Sequence, residues 1–375
     1  MMKKLKIAIL SPYNIFKPGG VQEHVNHQAD ILRKRGHDVT IITPRPRGED
    51  EDSAPEGVVF IGGSARIKSP SATSGDVSIT IDTEAAEAEL AKGYDVLHVH
   101  EPAIPFLARQ ILPLANCLKV GTYHAALPGN ALGRSLIRSY RAYFKTVMPY
   151  IDVITAVSPA AVGFIENLVD ENSIVYVPNG ISLEKMKSSD EKRRNRNQIF
   201  FVGRLEKRKG ALYAIKAFEI LKQRMPDAEL IIAGDGPLRD SLKSYVSRNE
   251  IDDVKFMGFV TDEEKFHYLS TCGAYTSPAL YGESFGIVLA EAMAFGAPIV
   301  AHKNPGYEWV LQGTGRLSLV DVHDIEAYAD RMQLMLEDDQ LRGAWQKWAH
   351  EYVKQYDYER IVDRYEALYE EHLTK

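Results

Sequence analysis

Short apolar runs rich in Val and Ile recur along this chain, each followed by a longer amphipathic stretch, and the pattern occurs in two series. Runs of this length suit strands buried on both faces, and the stretches between them suit crossover helices. The first series predicts strands over Lys6–Ser11, Asp38–Thr43, Val58–Ile61, Val96–His100, Lys119–Tyr123, Val153–Ala156 and Ile174–Val177. Helices are expected over Val21–Arg35, ended by Gly36, and over Thr83–Lys92. The second series predicts strands over Ile199–Val202, Glu229–Ala233, Lys255–Met257, Ala274–Thr276 and Ile299–Ala301. Its helices are expected over Ala211–Arg224, Pro237–Arg248, Thr261–Leu269 and Gly286–Phe295, with a last helix over Asp357–His372. This alternation implies the α/β class, with a doubly wound parallel sheet in each half. Between the series, Met186–Gln198 has no apolar periodicity and carries Lys187, Lys192, Arg193, Arg194 and Arg196, so it reads as a solvated linker or loop.

A chain of 375 residues exceeds what one hydrophobic core usually serves. Two domains are expected, 1–180 joined by the final helix 357–375, and 181–356. The net charge of −6 argues against the broadly basic surface that nucleic acid needs, though not against a local basic patch, so no nucleic-acid partner is expected. Two distant cysteines, Cys117 and Cys272, form neither a disulfide framework nor a metal cluster and suit a reducing compartment. The first apolar run is interrupted by Lys6 and is too short for a secretory leader. No stretch approaches the ~20 apolar residues of a membrane span. A cytoplasmic protein is expected, touching membrane only at its surface.

Ligands of doubly wound sheets sit at the carboxyl ends of the strands, so the residues there carry the functional signal. The strongest signal is Gly282-Glu283-Ser284-Phe285-Gly286-Ile287, which runs into an Ala-rich helix containing Glu291. Small residues let a ligand reach the free N–H groups of the helix start. Glu283 stands at that entrance, and Glu291 lies two turns on, where so apolar a helix obliges it to have a partner. The second signal is Gly203-Arg204-Leu205-Glu206-Lys207-Arg208-Lys209-Gly210, at a strand end and opening a helix. Arg204 and Lys209 suit an anionic diphosphate, whereas Lys207 and Arg208 read as solvated. Pro18-Gly19-Gly20-Val21-Gln22 is a third, weaker glycine turn before a helix. His124, after the fifth strand, can contact a sugar or carry a proton, though a lone His more often serves structure. His98 and His100 share one sheet face. A metal pair is conceivable, but with no further ligand placed they read as hydrogen-bonded core residues.

Glu283 to Glu291 (E-x7-E), Gly203-Arg204 with Lys209-Gly210, Pro18-Gly19-Gly20 and Val177-Pro178-Asn179-Gly180 occur in one order. Together they resemble the retaining family 4 glycosyltransferases of the GT-B fold, over essentially the whole chain. Ser11-Pro12-Tyr13 and His98-Val99-His100-Glu101-Pro102 are similar to bacterial phosphatidylinositol mannosyltransferase-like enzymes. The resemblance implies two Rossmann-like domains facing a central cleft, with the last helix crossing back to the first. It implies that Arg204 and Lys209 neutralise the donor diphosphate and that Gly19 and Gly20 approach it. Glu283 would hold the donor sugar, with main-chain contacts from Ser284, Phe285, Gly286 and Ile287, and Glu291 would bind ribose. Phe259, Val260 and Lys265 would flank the base. His124 would sit beside the reacting sugar, and Tyr13 and Gln22 on the acceptor side.

The resemblance further implies an α-mannosyl transferase using GDP-mannose and a lipid-linked or glycan acceptor. No cofactor is expected, and no metal, since no Asp-x-Asp site accompanies the motifs. A UDP-sugar enzyme of the same family, a nucleotide-sugar epimerase and a non-catalytic nucleotide-sugar-binding protein are the alternatives. A nicotinamide oxidoreductase is disfavoured by the missing G-x-G-x-x-G. Two departures weigh against inositol lipid: Ala103 and Ala125 replace polar residues, and Thr83–Glu89 is acidic where the relatives carry a basic helix. Arg134, Arg138, Arg141 and Lys145 would form one helical stripe, a face for an anionic membrane or acceptor or simply a solvated one.

Overall fold

The structure is a computed structural model and describes residues 3–50, 53–68, 74–80, 82–102, 104, 107–126, 141–186 and 194–374. The chain forms two units, one of Met1–Gly180 with Tyr358–Lys375, the other of Ile181–Asp357.

The first unit holds β1 (Lys6–Leu10), β2 (Asp38–Arg45), β3 (Val58–Lys68), β4 (Ser74–Ser78), β5 (Val96–His100), β6 (Leu118–Tyr123), β7 (Val153–Ala156) and β8 (Ile174–Tyr176). Their order in the sheet is β4-β3-β2-β1-β5-β6-β7-β8. All pairings are parallel except β3 with β4. The direction of winding reverses between β1 and β5, which places a ligand crevice at their carboxyl ends. One face of the sheet is covered by the helix Gly20–Lys34 and by the last helix, Tyr358–Leu373. Tyr358, Ile361, Val362, Tyr365, Leu368 and Tyr369 join Val25, Ala29 and Leu32 in one core with Ile7, Ile9 and Val120. The helix ends are tied as well. Arg35, just past Lys34, pairs with Glu359, Asp363 and Glu366. His37 Nε2 donates to the buried Glu366 at 2.9 Å, while its Nδ1 accepts from Leu5 N at 3.1 Å.

The second unit holds β9 (Asn195–Val202), β10 (Glu229–Ala233), β11 (Val254–Gly258), β12 (Cys272–Ser277), β13 (Ile299–His302) and β14 (Leu319–Val320). They form a parallel sheet in the order β11-β10-β9-β12-β13-β14, so winding reverses between β9 and β12. The helices Ala211–Arg224, Arg239–Arg248, Asp262–Thr271 and Ile287–Ala294 match the four expected here. Pro305–Val310, Ile325–Glu337 and Asp339–Tyr352 are additional.

The reading of Met186–Gln198 as a solvated loop is corrected at its carboxyl end, because β9 begins at Asn195. Arg194 is not solvated there: its guanidinium donates to the carbonyls of Leu269, Cys272 and Phe295, which close two helices. Cations are well suited to such helix carboxyl ends. Residues 187–193 lie outside the described residues.

Candidate active site

In the second unit the loops after β9 and β12 meet at the switch point. Gly210 closes the first loop with φ 71°, and a Cβ there would stand 2.1 Å from Pro278 O. Leu280 N donates to Arg208 O at 2.7 Å, which fastens the loops together. This contact brings Glu283 between two cations. Arg208 Nη1 donates to Glu283 Oε1 at 2.8 Å, and Lys209 Nζ donates to the same oxygen at 2.7 Å. All three side chains are largely buried, at 12%, 23% and 11% exposure for Arg208, Lys209 and Glu283. Arg208 also pairs with the buried Glu206 at 2.6 Å. The expectation that Arg208 is solvated is therefore corrected: residue type alone hid its two carboxylate partners, one of them 75 positions away. Arg204 stays half exposed, with its Nε 3.6 Å from Glu206.

Gly282 and Gly286 lie in the left-handed region, and Gly286 precedes the helix Ile287–Ala294 without any side-chain cap. A Cβ on Gly286 would stand 2.6 Å from the Tyr307 ring. The uncapped N–H groups of the helix are thus available to an anion. Ser284, Gly286 and Ile287 are half-buried. Phe285 turns its side chain into the core, edge-on to Tyr356 at 5.2 Å, so only its main chain faces the loop. Glu291 has the partner its helix demands: Lys265 Nζ donates to its Oε1 at 2.9 Å, and also lies 3.0 Å from Asp262. Burial opposes the Lys265 charge, but the carboxylates of Glu291 and Asp262 outweigh it and raise the pKa. Nearby in sequence, Phe259 is 86% exposed and Val260 half-buried.

In the first unit, Gly19 precedes the helix Gly20–Lys34, also without a side-chain cap. The Gln22 side chain folds back over Gly19, leaving no room there for a Cβ. Tyr13 is half-buried, and its carbonyl accepts from Thr43 Oγ1 at 2.9 Å. His124 is buried, with both ring nitrogens engaged: Nε2 lies 2.9 Å from His100 Nδ1, and Nδ1 lies 3.2 Å from Asn179 Oδ1. As a carrier of protons to a ligand His124 is thus occupied in this conformation, and its main chain and ring edge remain. The main chain is held by Glu101, whose Oε1 accepts from His124 N and, at 2.8 Å, from Ala125 N. Burial pushes the Glu101 carboxyl up to about 7, although those two N–H bonds pull it down. Burial drives His124 down to about 4 and His98 to about 3, with His24 and His100 also lowered. His98 and His100 are stacked core histidines, 4.3 Å apart, and each is hydrogen-bonded to side chains. Gln28 is a functional candidate that the sequence did not expose, and Asn179 and Glu101, members of the Val177–Gly180 and His98–Pro102 motifs, gain partners that those motifs did not specify.

Residues 18–185 match the family model described as Glycosyltransferase Family 4, and residues 183–352 match Glycosyl transferases group 1. The chain is also 31% identical to a phosphatidyl-myo-inositol mannosyltransferase of Mycolicibacterium smegmatis, covering 98% of this chain and 94% of that one. The chain belongs to glycosyltransferase family 4. This family 4 glycosyltransferase is similar in structure to a glycosyltransferase from Rickettsia africae, with TM-score 0.76 and 17% identity over 100% of both chains. It is similar also to sucrose-phosphate synthase from Thermosynechococcus elongatus, with TM-score 0.73 and 20% identity over 99% of this chain and 100% of that one. At such identities the likeness is one of fold, the GT-B pairing of two Rossmann-like units.

The remaining expected features of this glycosyltransferase fall unevenly. Ala103, Arg134 and Arg138 lie outside the described residues. Arg141 and Lys145 fall on a helical stretch, 141–147, that buries Phe144 and Val147 and leaves Lys145 exposed. In the acidic helix Thr83–Leu90, Glu89 is buried and accepts from Tyr94 at 2.5 Å and Lys92 at 2.6 Å, a structural use of one of its charges. No helix among the described residues is long and apolar enough to cross a membrane. Both cysteines are free. His302, Asp321 and His323 form one group of three potential metal ligands among the described residues, but His302 Nδ1 already accepts from Val322 N at 3.3 Å.

Proposed function

We propose that this glycosyltransferase moves an α-mannosyl group from GDP-mannose to a lipid-linked or glycan acceptor, with retention and without a divalent ion. The observation that carries the reading is the triple contact of Arg208, Lys209 and Glu283 beside the uncapped helix Ile287–Ala294. A nucleotide sugar presents two anionic phosphates next to neutral hydroxyls. The cluster offers fixed cations for the first and a carboxylate acceptor for the second.

As the sugar–phosphate bond loosens, negative charge grows on the leaving diphosphate. Arg204, Lys209 and the helix N–H groups stabilise that charge, with Arg208 holding Glu283 in place as Lys209 turns to phosphate. Each such donor contributes roughly 3–4 kcal/mol, by analogy with oxyanion-hole donors. Two or three cations then do the work a divalent ion does elsewhere. The leaving phosphate oxygen takes the acceptor's proton on the same face of the sugar. Exposed Phe259 provides a surface for the base, and Lys265–Glu291 a polar pair for ribose.

The mannosyl preference rests on the relatives' names. Ala125, which offers the acceptor no side-chain hydrogen bond, speaks for an acceptor other than inositol lipid. The stripe containing Arg141 and Lys145 supports contact with an anionic membrane surface.

A donor panel read by nucleoside diphosphate release, with and without lipid extract and with and without EDTA, tests the proposal. GDP-mannose should turn over, EDTA should not matter, and the product should keep the donor's anomeric configuration. Turnover of a UDP-sugar alone would replace the donor assignment. Release of diphosphate without any acceptor product would remove the transfer step.

A further inference from the structure

A directional chain of side-chain hydrogen bonds runs through the core of the first unit. One end is a main-chain carbonyl, Gly121 O, which can only accept; Thr155 Oγ1 donates to it at 3.5 Å. With that bond made, the Thr155 hydroxyl accepts from Thr122 Oγ1, which in turn accepts from His98 Nε2 at 2.6 Å, and the Tyr365 hydroxyl bonds both threonines. A neutral His98 with its proton on Nε2 has a bare Nδ1. That atom faces Gln28 Nε2 at 2.9 Å and the Tyr369 hydroxyl at 2.6 Å, both able to donate. Gln28 Nε2 also donates to the Tyr369 oxygen at 2.9 Å. The Gln28 amide therefore turns its oxygen to His100, 2.9 Å from Nε2, which must carry the proton. His100 Nδ1 is then bare and accepts from His124 Nε2. His124 Nδ1 is bare in turn; the Asn179 oxygen stands 3.2 Å from it, and a half-turn of that amide, which exchanges its two ends, brings the nitrogen there to donate.

We propose that Gln28 is a positioning residue for the transfer reaction: its amide fixes the polarity of this chain and so holds His124 as the neutral Nε2–H tautomer with its Nδ1 accepting from Asn179. An amide offers a donor on the side of His98 and an acceptor on the side of His100, and it is the His100 side that has Gln28 as its partner. Doubly protonated imidazoles, which would break the order, are opposed by burial and by mutual repulsion within the cluster. Glu101, just after β5, has its Oε1 engaged by the main-chain N–H groups of His124 and Ala125. Gln28 lies on the helix that Gly20 opens, so the same residue ties that helix to the His124 loop and, through Tyr369, to the last helix.

The consequence for catalysis rests on the glycosyl-transfer reading, but the tautomer does not, and the two are measured separately. Imidazole nitrogen NMR of the full chain, between about pH 6 and 8, should show His98, His100 and His124 each as one Nε2–H tautomer without titration. His124 found as Nδ1–H, or as a mixture, in the unaltered protein overturns the proposal whatever any variant does. Gln28→Glu puts an acceptor oxygen where the amide nitrogen faced His98 and leaves only the Tyr369 hydroxyl to donate there, so His98 should change tautomer or become charged. In Gln28→Leu the His124 signal should become mixed, and kcat should fall about tenfold with little change in donor KM. An unchanged His124 signal in a folded Gln28→Leu also overturns it. If no donor turns over even in the unaltered protein, the function reading fails while the tautomer measurement still decides this one.

Discussion

Lys265 Nζ stands 2.9 Å from Glu291 Oε1, inside a helix whose other buried residues are Leu289, Ala290, Ala292, Met293 and Ala294. Glu291 is 7% exposed and Lys265 16%. Removing Lys265 takes a counter-ion 2.9 Å away from the buried Glu291 carboxylate. Lys265→Met should therefore destabilise the second unit by about 2–4 kcal/mol, read as a drop in urea midpoint. Lys265→Met with Glu291→Gln should recover part of that loss, and a double variant no better than the single would refute the pairing.

Arg208 holds Glu206 and Glu283, whereas its neighbour Lys207 is exposed. Arg208→Ala should lower kcat/KM for the donor by about 10- to 100-fold, and Lys207→Ala should leave it unchanged. Glu283→Ala and Arg204→Ala should abolish turnover while circular dichroism stays as before. Equal rates in Arg208→Ala and the parent would mean that the cluster plays no part in transfer.

Phe259 is 86% exposed, so its replacement has nothing to unpack. If it supports the base, Phe259→Ala should raise donor KM by roughly 5- to 150-fold, the range of ~1–3 kcal/mol for a lost stacking contact. Tm and kcat should be unmoved. An unchanged KM places the base elsewhere.

His124 and the three histidines around it make the first unit sensitive to acid. His24, His98, His100 and His124 are all held below their ordinary value of 6.5, by burial first and, for His24, His98 and His100, then by the charge of neighbouring rings. An unfolded chain binds those protons below about pH 6.5 and the folded one does not. Their contribution is complete above that pH and is lost as pH falls, down to about 4 for His124. Each imbalanced ring steepens the slope by up to ~1.4 kcal/mol per pH unit. Glu101 works in the opposite sense: its carboxyl, raised to about 7, favours the folded state at low pH and loses that contribution as pH rises. Four rings against one carboxyl predict a net loss on acidification. Denaturant midpoints at pH 7.5 and 5.5 should show it, and His24→Phe should flatten the difference.

Much of this was legible in the sequence, because buried parallel strands are written in local runs. Val96–His100, Val153–Ala156 and Glu229–Ala233 fall where those runs lie. The start of β9 was not legible: Asn195, Arg196, Asn197 and Gln198 are polar, and their pairing with β10 and β12 is what makes them a strand. His98 and His100 were correctly read as core residues from their alternation, but the identity of their partners was not. Gln28, His124 and Tyr369 reach them across 70, 24 and 271 positions. Arg208 failed for the same reason. A cation in a basic loop looks solvated until tertiary structure delivers its carboxylate.

The core of the first unit draws on both ends of the described chain, with Ile7 and Ile9 near one end and Tyr365 and Tyr369 near the other. During synthesis the ribosome must finish the whole intervening unit, Ile181–Asp357, before the helix Tyr358–Leu373 emerges. Until then the apolar side of the first sheet has no cover on that flank, although the inserted unit already holds every strand it needs. The order of maturation is thus the reverse of the order of translation, and the nascent first half is the part that a chaperone would have to shield.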